Sequence, residues 1–399
     1  MKGAVLVINS GSSSLKFALL DHLGENLIMQ GIAERLGMED SQLMIQFDNH
    51  NEHLPLTKGS HKAALTALKE WLLRHPTLMQ SLVGIGHRVV HGGEQFNQSV
   101  VIDNAVLERI QLCSKLAPLH NPAQIKGIKV ASKLFPNLPQ VAVFDTAFHQ
   151  TIAQEQYLYP IPMGYYRDHA FRKYGFHGSS YRYISNTLAT LAPESQQQGV
   201  LVAHLGNGAS TCAIQNGQSV DTSMGLTPLD GLMMGTRSGS IDPSLIAFIS
   251  KEEELSLDET MGILNKHSGL LGISELSNDC RTLEEAMKAG DERSKLALDM
   301  FCYSTAKNLM TVATALDSID HLVFTGGIGE NSVYVRKQVC QHLKAFSIQL
   351  DNTLNDSVAD DVAVISSTGC AIKIWVIPTN EELMIALDTL SLIDQTPDS

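Results

Sequence analysis

Three short stretches of this chain combine glycine with small polar residues, and each follows an apolar run. Asn9-Ser-Gly-Ser-Ser-Ser-Leu-Lys16 follows Ala4–Ile8, His204-Leu-Gly-Asn-Gly208 follows Val200–Ala203, and Gly326-Gly-Ile-Gly-Glu-Asn331 follows His321–Phe324. Turns of this composition let backbone N–H groups close around phosphate oxygens, and a turn that opens a helix adds the helix's first amides. The first is no Walker A loop, because Leu15 stands where a glycine would precede the lysine. Charged residues sit beside such turns. Arg88 ends an apolar strand before Gly92-Gly93, where a buried guanidinium fork suits a carboxylate, and Asp145 ends the apolar run Val141–Phe144. Arg237 lies in a Gly/Ser-rich loop and His177 precedes Gly178. Such residues suit phosphoryl transfer, which needs cations near the moving group. The plainer alternatives stay open here: strand-end arginines form structural salt bridges, and single histidines are often satisfied loop residues.

The elements that must position these residues read as α/β units. The pattern of residues 4–20 (apolar strand, small-residue turn, apolar strand) returns at 200–214, which suggests two related halves facing one nucleotide. Asp21-His-Leu-Gly24 and Gln215-Asn-Gly217 close the second strands. Further strands are expected at 27–33, 42–47, 81–90, 141–144, 321–324 and 372–377. Helices are expected at 61–74, 103–116, 293–317 and 381–390, and along Val335, Val339 and Leu343. The rest of 34–60 reads as polar and irregular. The length calls for two domains, expected at 1–147 completed by about 383–399 on the acceptor side, and 148–382 on the nucleotide side.

Composition narrows the class. A net charge of −13 argues against a general nucleic-acid binder. The six cysteines show no C-x-x-C spacing, so neither a zinc site nor a disulfide framework is indicated, as in a reducing cytoplasm. The first apolar run is too short for a signal peptide, and no run is long enough to span a bilayer.

The chain resembles the acetate kinase family. The resemblance rests on Asn9–Lys16, His87-Arg-Val-Val-His-Gly-Gly93, Ala117-Pro-Leu-His-Asn-Pro122, Phe144-Asp-Thr-Ala-Phe-His-Gln150, Lys173-Tyr-Gly-Phe-His-Gly178, His204–Gly208, Gly235-Thr-Arg-Ser-Gly-Ser-Ile-Asp-Pro243, Gly326–Asn331 and Pro378-Thr-Asn-Glu-Glu382. It implies two duplicated ribonuclease H-like domains of the actin, Hsp70 and sugar kinase type with a cleft between them, and a cytoplasmic homodimer that binds neither nucleic acid nor membrane. The implied reaction is reversible, direct in-line transfer of the ATP γ-phosphoryl group to acetate with Mg²⁺ (or Mn²⁺). By the same resemblance Arg88 takes the acceptor carboxylate, His177 and Arg237 stabilise the transferring group, and Asp145 is a proton donor or acceptor. An ionised acetate needs no base, so a role for Asp145 in holding Arg88 or ordering water fits better. Val90, Leu119, Phe176 and Pro228 are implied around the acyl methyl. The implied nucleotide-binding residues are Ser12, Ser14, Lys16, His204, Leu205, Gly206, Asn207, Gly208, Asp279, Cys280, Arg281, Gly327, Ile328, Gly329, Glu330 and Asn331. Asn9 and Glu381 are implied metal ligands; by spacing alone they read as a turn former and a helix N-terminal charge. His120 and His204 read equally as orienting or catalytic, whereas His87, His91 and His149 read as shaping turns. The family usually writes His where Tyr181 stands. Two other readings remain: a propionate or butyrate kinase, and a nucleotide-gated scaffold without an acceptor pocket.

Overall fold

The computed structural model describes residues 3–22, 26–57, 59–118, 120–359 and 361–394. The chain folds as two units, Met1–Phe148 with Asn380–Ser399, and His149–Thr379. The first unit holds strands β1 (Ala4–Ser10), β2 (Leu15–Asp21), β3 (Leu27–Glu34), β4 (Gln42–Phe47), β5 (His50–Pro55), β6 (Leu82–Val89), β7 (Val100–Val101) and β8 (Gln140–Phe144). Their order across the sheet is β5-β4-β3-β2-β1-β6-β8-β7. Strands β1 to β5 form an antiparallel meander, and β6 and β8 then run parallel to β1.

Both faces of β1 are covered, which is why it reads as an unbroken apolar run. Leu6 and Ile8 join Ala64, Leu65, Leu68 and Trp71 of the helix His61–Leu73 in one core. Val5 and Val7 point the other way, into a core with Val141, Val143, Ile385 and Ala386. The last two belong to the helix Glu381–Asp394, which lies across β6, β1 and β8. Its close approach depends on two glycines of β6: a Cβ on Gly84 would stand 2.2 Å from Ile393 Cδ1, and one on Gly86 2.5 Å from Ile385 Cγ2.

The second unit repeats the plan with β9 (Gly199–Leu205), β10 (Ala209–Gln215), β11 (Gln218–Thr222), β12 (His321–Thr325), β13 (Ala363–Val364) and β14 (Lys373–Val376), ordered β11-β10-β9-β12-β14-β13. Here three antiparallel strands, rather than five, are followed by two that run parallel to the first of them. β9, β10, β11, β12 and β14 therefore correspond to β1, β2, β3, β6 and β8. The expected duplicated α/β fold is borne out, down to a small-residue turn between the first two strands of each sheet. The helix Glu292–Ala313 covers this second sheet with Leu298, Phe301, Cys302, Thr305, Leu309 and Val312 buried.

Residues 34–60 are more regular than expected. β4 and β5 form a hairpin joined by Asp48-Asn49, both at positive φ (49° and 59°), the backbone of a two-residue primed turn. The helix expected at 103–116 ends at Leu112 and tightens into a 3₁₀ turn at Cys113–Lys115. Leu23 and Gly24 of the turn expected after β2 lie outside the described residues. Among the described residues no helix is long and apolar enough to cross a membrane.

Candidate active site

On the first unit, β6 and β8 run parallel, with Val89 opposite Phe144. This register brings Arg88 to Asp145, which directly follows β8. Arg88 Nε donates to both Asp145 oxygens at 3.0 and 3.1 Å, and Nη2 donates to Oδ2 at 2.8 Å. Glu381, in the first turn of the last helix, brings Oε2 to 3.8 Å from Arg88 Nε. Burial opposes the Arg88 charge, but Asp145 and Glu381 outweigh it, and the guanidinium is held above its ordinary value. Burial also pushes the Asp145 carboxyl up, against the pull of Arg88. Nη1 of Arg88 makes no bond among the described residues and stays available to an anion.

The loop after β6 is fixed from the helix Asn121–Leu134. Gln124 Oε1 accepts from the Val90 amide at 3.0 Å, and Asn121 exchanges hydrogen bonds with the backbone of His91 at 3.2 and 2.9 Å. Val90 is buried there. Leu119 lies outside the described residues. His120 is close enough to Asp145 for its charge to favour the carboxylate.

Asn9 and Lys16 face each other across the first hairpin, around a turn closed by Gly11 N–H donating to Ser14 O at 2.9 Å. Ser12 and Lys16 are exposed there and Ser14 half-buried. Among the described residues no cluster of three or more His, Cys, Asp or Glu is poised to hold a metal ion. Asn9 and Glu381 lie on one unit and offer one amide and one carboxylate oxygen donor. That suits Mg²⁺, which keeps several waters and leans on substrate phosphates.

On the second unit, His177 sits in the left-handed region (φ 58°) as N-cap of the helix Gly178–Leu191. Its ring stacks on that of His204, the last-but-one residue of β9, with centroids 4.2 Å apart. Each imidazole rests its Nδ1 against a serine at 2.8 Å: Ser210 for His177 and Ser180 for His204. Arg237 reaches the same turn. A Cβ on Gly208 would stand 3.5 Å from Arg237 Nη1 and 3.7 Å from His177 Nε2. Arg237 is half-buried, and burial works against its charge. Its hydrogen bonds go to Pro228 O at 3.2 Å and, weakly, to Met234 Sδ; among the described residues no carboxylate pairs with it. Phe176 is buried next to His177 in sequence, and Pro228 is held through this carbonyl.

A groove of about 380 Å³ on the second unit gathers Gly206, Asn207, Asp279, Cys280, Arg281, Gly327, Ile328 and Asn331. Stretches more than a hundred residues apart in sequence thus line one space. Gly326 adopts φ 76°, and a Cβ there would stand 2.8 Å from Leu205 O, so only glycine lets this turn meet β9. Asn278, Glu284 and Ser332 also line the groove and went unnoticed in the sequence; Asn278, beside Asp279, donates to Asn207 Oδ1 at 2.8 Å. Two candidates carry local structural duties. Asp279 caps the helix Cys280–Lys288 by accepting from Thr282 N–H at 2.8 Å, a bond that lowers its carboxyl pKa. Glu330 turns its carboxylate back to accept from the amides of Gly326 at 2.7 Å and Thr379 at 3.0 Å. Leu205 and Gly329 are buried beneath the turns.

A duplicated sheet with small-residue turns at matching places, carrying an anchored guanidinium on one unit and imidazole and guanidinium beside a glycine turn on the other, defines a phosphotransferase. The chain belongs to the acetokinase family, whose sequence model matches residues 4–387. It is 48% identical over 393 residues to the acetate kinase of Chromobacterium violaceum, covering 98% of this chain and 99% of that protein. The propionate kinase of Francisella tularensis subsp. tularensis has a similar structure, with TM-score 0.93 and 44% identity over 98% of this chain and 100% of that one. The acetate kinase of Porphyromonas gingivalis gives TM-score 0.92 and 39% identity, covering 98% and 100%. The family resemblance drawn from the motifs is borne out, and the chain is a phosphotransferase with a carboxyl group as acceptor.

Proposed function

We propose that this protein transfers the γ-phosphoryl group of ATP reversibly to acetate, giving ADP and acetyl phosphate by direct in-line displacement. The observation that carries the reading is Arg237, a half-buried guanidinium beside Gly208 and His177 without a carboxylate partner among the described residues. Such a cation is matched to an anion that comes and goes. Acetate is ionised near neutral pH, so its oxygen attacks with no proton to remove; the protein has to orient it and neutralise charge. Arg88, held by Asp145, offers Nη1 to the acetate carboxylate. His177 and Arg237 act on the oxygens of the transferring group, and the groove between Asn207 and Gly327 takes the nucleotide. Asn9 and Glu381 would hold Mg²⁺, largely through water. When bound, the ion supplies charge neutralisation on the phosphate oxygens.

Val90 is proposed to limit acyl length. One methylene is worth only about 1–3 kcal/mol in such a pocket, so propionate is a slower alternative substrate. A homodimer and a cytoplasmic setting belong to the same reading; the cysteines Cys113, Cys212, Cys280, Cys302, Cys340 and Cys370 are all free thiols, which suits a reducing compartment.

The test is acetohydroxamate formation from ATP, acetate and hydroxylamine, with Mg²⁺ present. Wild type forms hydroxamate in proportion to acetate, and Arg237→Ala lowers kcat on the order of 10²–10³-fold. ATP loss that ignores acetate would sink the reading in favour of a nucleotide-gated scaffold.

A further inference from the structure

His177 does not choose its own tautomer. Its Nδ1 lies 2.8 Å from Ser210 Oγ, and Ser210 Oγ is also hydrogen-bonded to the Tyr181 hydroxyl. Ser210 and Tyr181 are both fully buried. Two features keep the three groups in register. Ser210 pairs with His204 across the second small-residue turn, and Tyr181 lies one helical turn beyond His177, its amide donating to His177 O at 3.0 Å. The Tyr181 ring packs edge-on against His149 and His204, with centroids 5.6 and 6.4 Å away.

The buried Ser210 hydroxyl can place its proton on either of its two partners, which gives two arrangements within these three groups. In one, the phenol donates to Ser210 Oγ, the serine proton goes to Nδ1, and the imidazole carries its proton on Nε2. In the other, Nδ1–H donates to Ser210, the serine donates to the phenol oxygen, and Nε2 is bare. A phenol is a stronger acid than an aliphatic hydroxyl, hence the better donor, and this favours the first. Nε2 is the nitrogen beside Gly208.

We infer that Tyr181, acting through Ser210, holds His177 in the Nε2–H tautomer, so that the ring presents a hydrogen-bond donor to an oxygen bound at the second small-residue turn. Tyr181 is a positioning residue. That the oxygen belongs to a transferring phosphoryl group rests on the function proposed above; the tautomer does not.

The test uses full-length protein labelled with ¹⁵N-histidine. Two-bond ¹H–¹⁵N correlation spectra read each tautomer, and His177→Gln assigns the His177 signals by their loss. Wild type is expected to show a protonated Nε2 and an unprotonated Nδ1. Tyr181→Phe keeps the ring packing but removes the donor; His177 then shows a mixture of tautomers, and kcat for hydroxamate formation falls about tenfold with little change in KM for ATP or acetate. Ser210→Ala repeats the comparison should Tyr181→Phe fail to fold. A wild-type His177 protonated on Nδ1 overturns the inference outright. So does a tautomer retained in the folded variants together with unchanged kcat. Failure of wild type to make hydroxamate would count against the proposed function and leave the tautomer result standing.

Discussion

Asp145 grips Arg88 with three hydrogen bonds of 2.8–3.1 Å, a geometry made for aiming a guanidinium. A carboxylate so engaged is a poor general base, and an ionised acceptor gives it no proton to take. Asp145→Asn should therefore act through Arg88. Losing about one charge-assisted hydrogen bond, worth about 1.5–3 kcal/mol, should lower kcat/KM for acetate on the order of 10–100-fold and leave KM for ATP nearly unchanged. Hydroxamate rates across a pH series check this. A positioning role gives a loss that is constant with pH, whereas a deficit that shrinks at alkaline pH, as hydroxide replaces a missing base, would restore a proton-transfer role. At this scale the sequence was partly legible. Residue type and strand-end position marked Arg88 and Asp145, but their mutual grip depends on the parallel register of β6 and β8, which no local pattern encodes. Asp279 and Glu330 show the converse: the motif names the residue, and only the fold reveals that one carboxylate caps a helix while the other ties a turn to Thr379.

The small-residue turns are the elements that carry function, and they were the most legible part of the chain because composition alone dictates their backbone. Within the third turn the glycines are not equivalent. Gly326 is locked by its positive φ against Leu205, whereas a Cβ on Gly327 would meet nothing within 4 Å and would add its methyl to the groove lining. Gly327→Ala should therefore leave Tm unchanged or slightly raised, since alanine is the better helix former by about 1 kcal/mol. It should also raise KM for ATP severalfold without changing KM for acetate; initial rates with each substrate varied separately decide it. Equal effects on both substrates, or none, would detach this groove from the nucleotide. Other elements hid for physical reasons. Asp48-Asn49 makes its hairpin turn without glycine, so β5, polar and exposed, looked irregular. β6 was legible as a strand at 81–90, but the reason for its Gly-x-Gly was not: the helix Glu381–Asp394 needs the empty face of Gly84 and Gly86.

At the scale of the whole molecule, each unit holds a fully buried histidine that the proposed reaction does not use. His87, on β6, places Nε2 2.7 Å from Gln140 Oε1; His149 sits between Ser219 Oγ at 2.8 Å and Phe176 O at 2.9 Å. Burial lowers each to a pKa of about 4. An unfolded histidine takes its proton near pH 6.5, so between about pH 6.5 and pH 4 the unfolded chain binds protons that the folded units refuse. Stability is then full above this window and falls as pH drops through it. Lowering pH from about 7.5 to about 5 should cost about 2 kcal/mol for each histidine. The two tryptophans separate the units, Trp71 reporting on the first and Trp375 on the second. In a Trp375→Phe background, urea unfolding followed by Trp71 fluorescence should lose about 2 kcal/mol over that pH step. Adding His87→Gln should lower stability at the higher pH, where the buried ring and its hydrogen bond are gone, yet reduce the pH dependence, leaving a remainder to which His61, also lowered by burial, contributes. A loss on acidification as large in His87→Gln as in its parent would show that His87 is already protonated in the folded unit, or that other groups set its acid sensitivity.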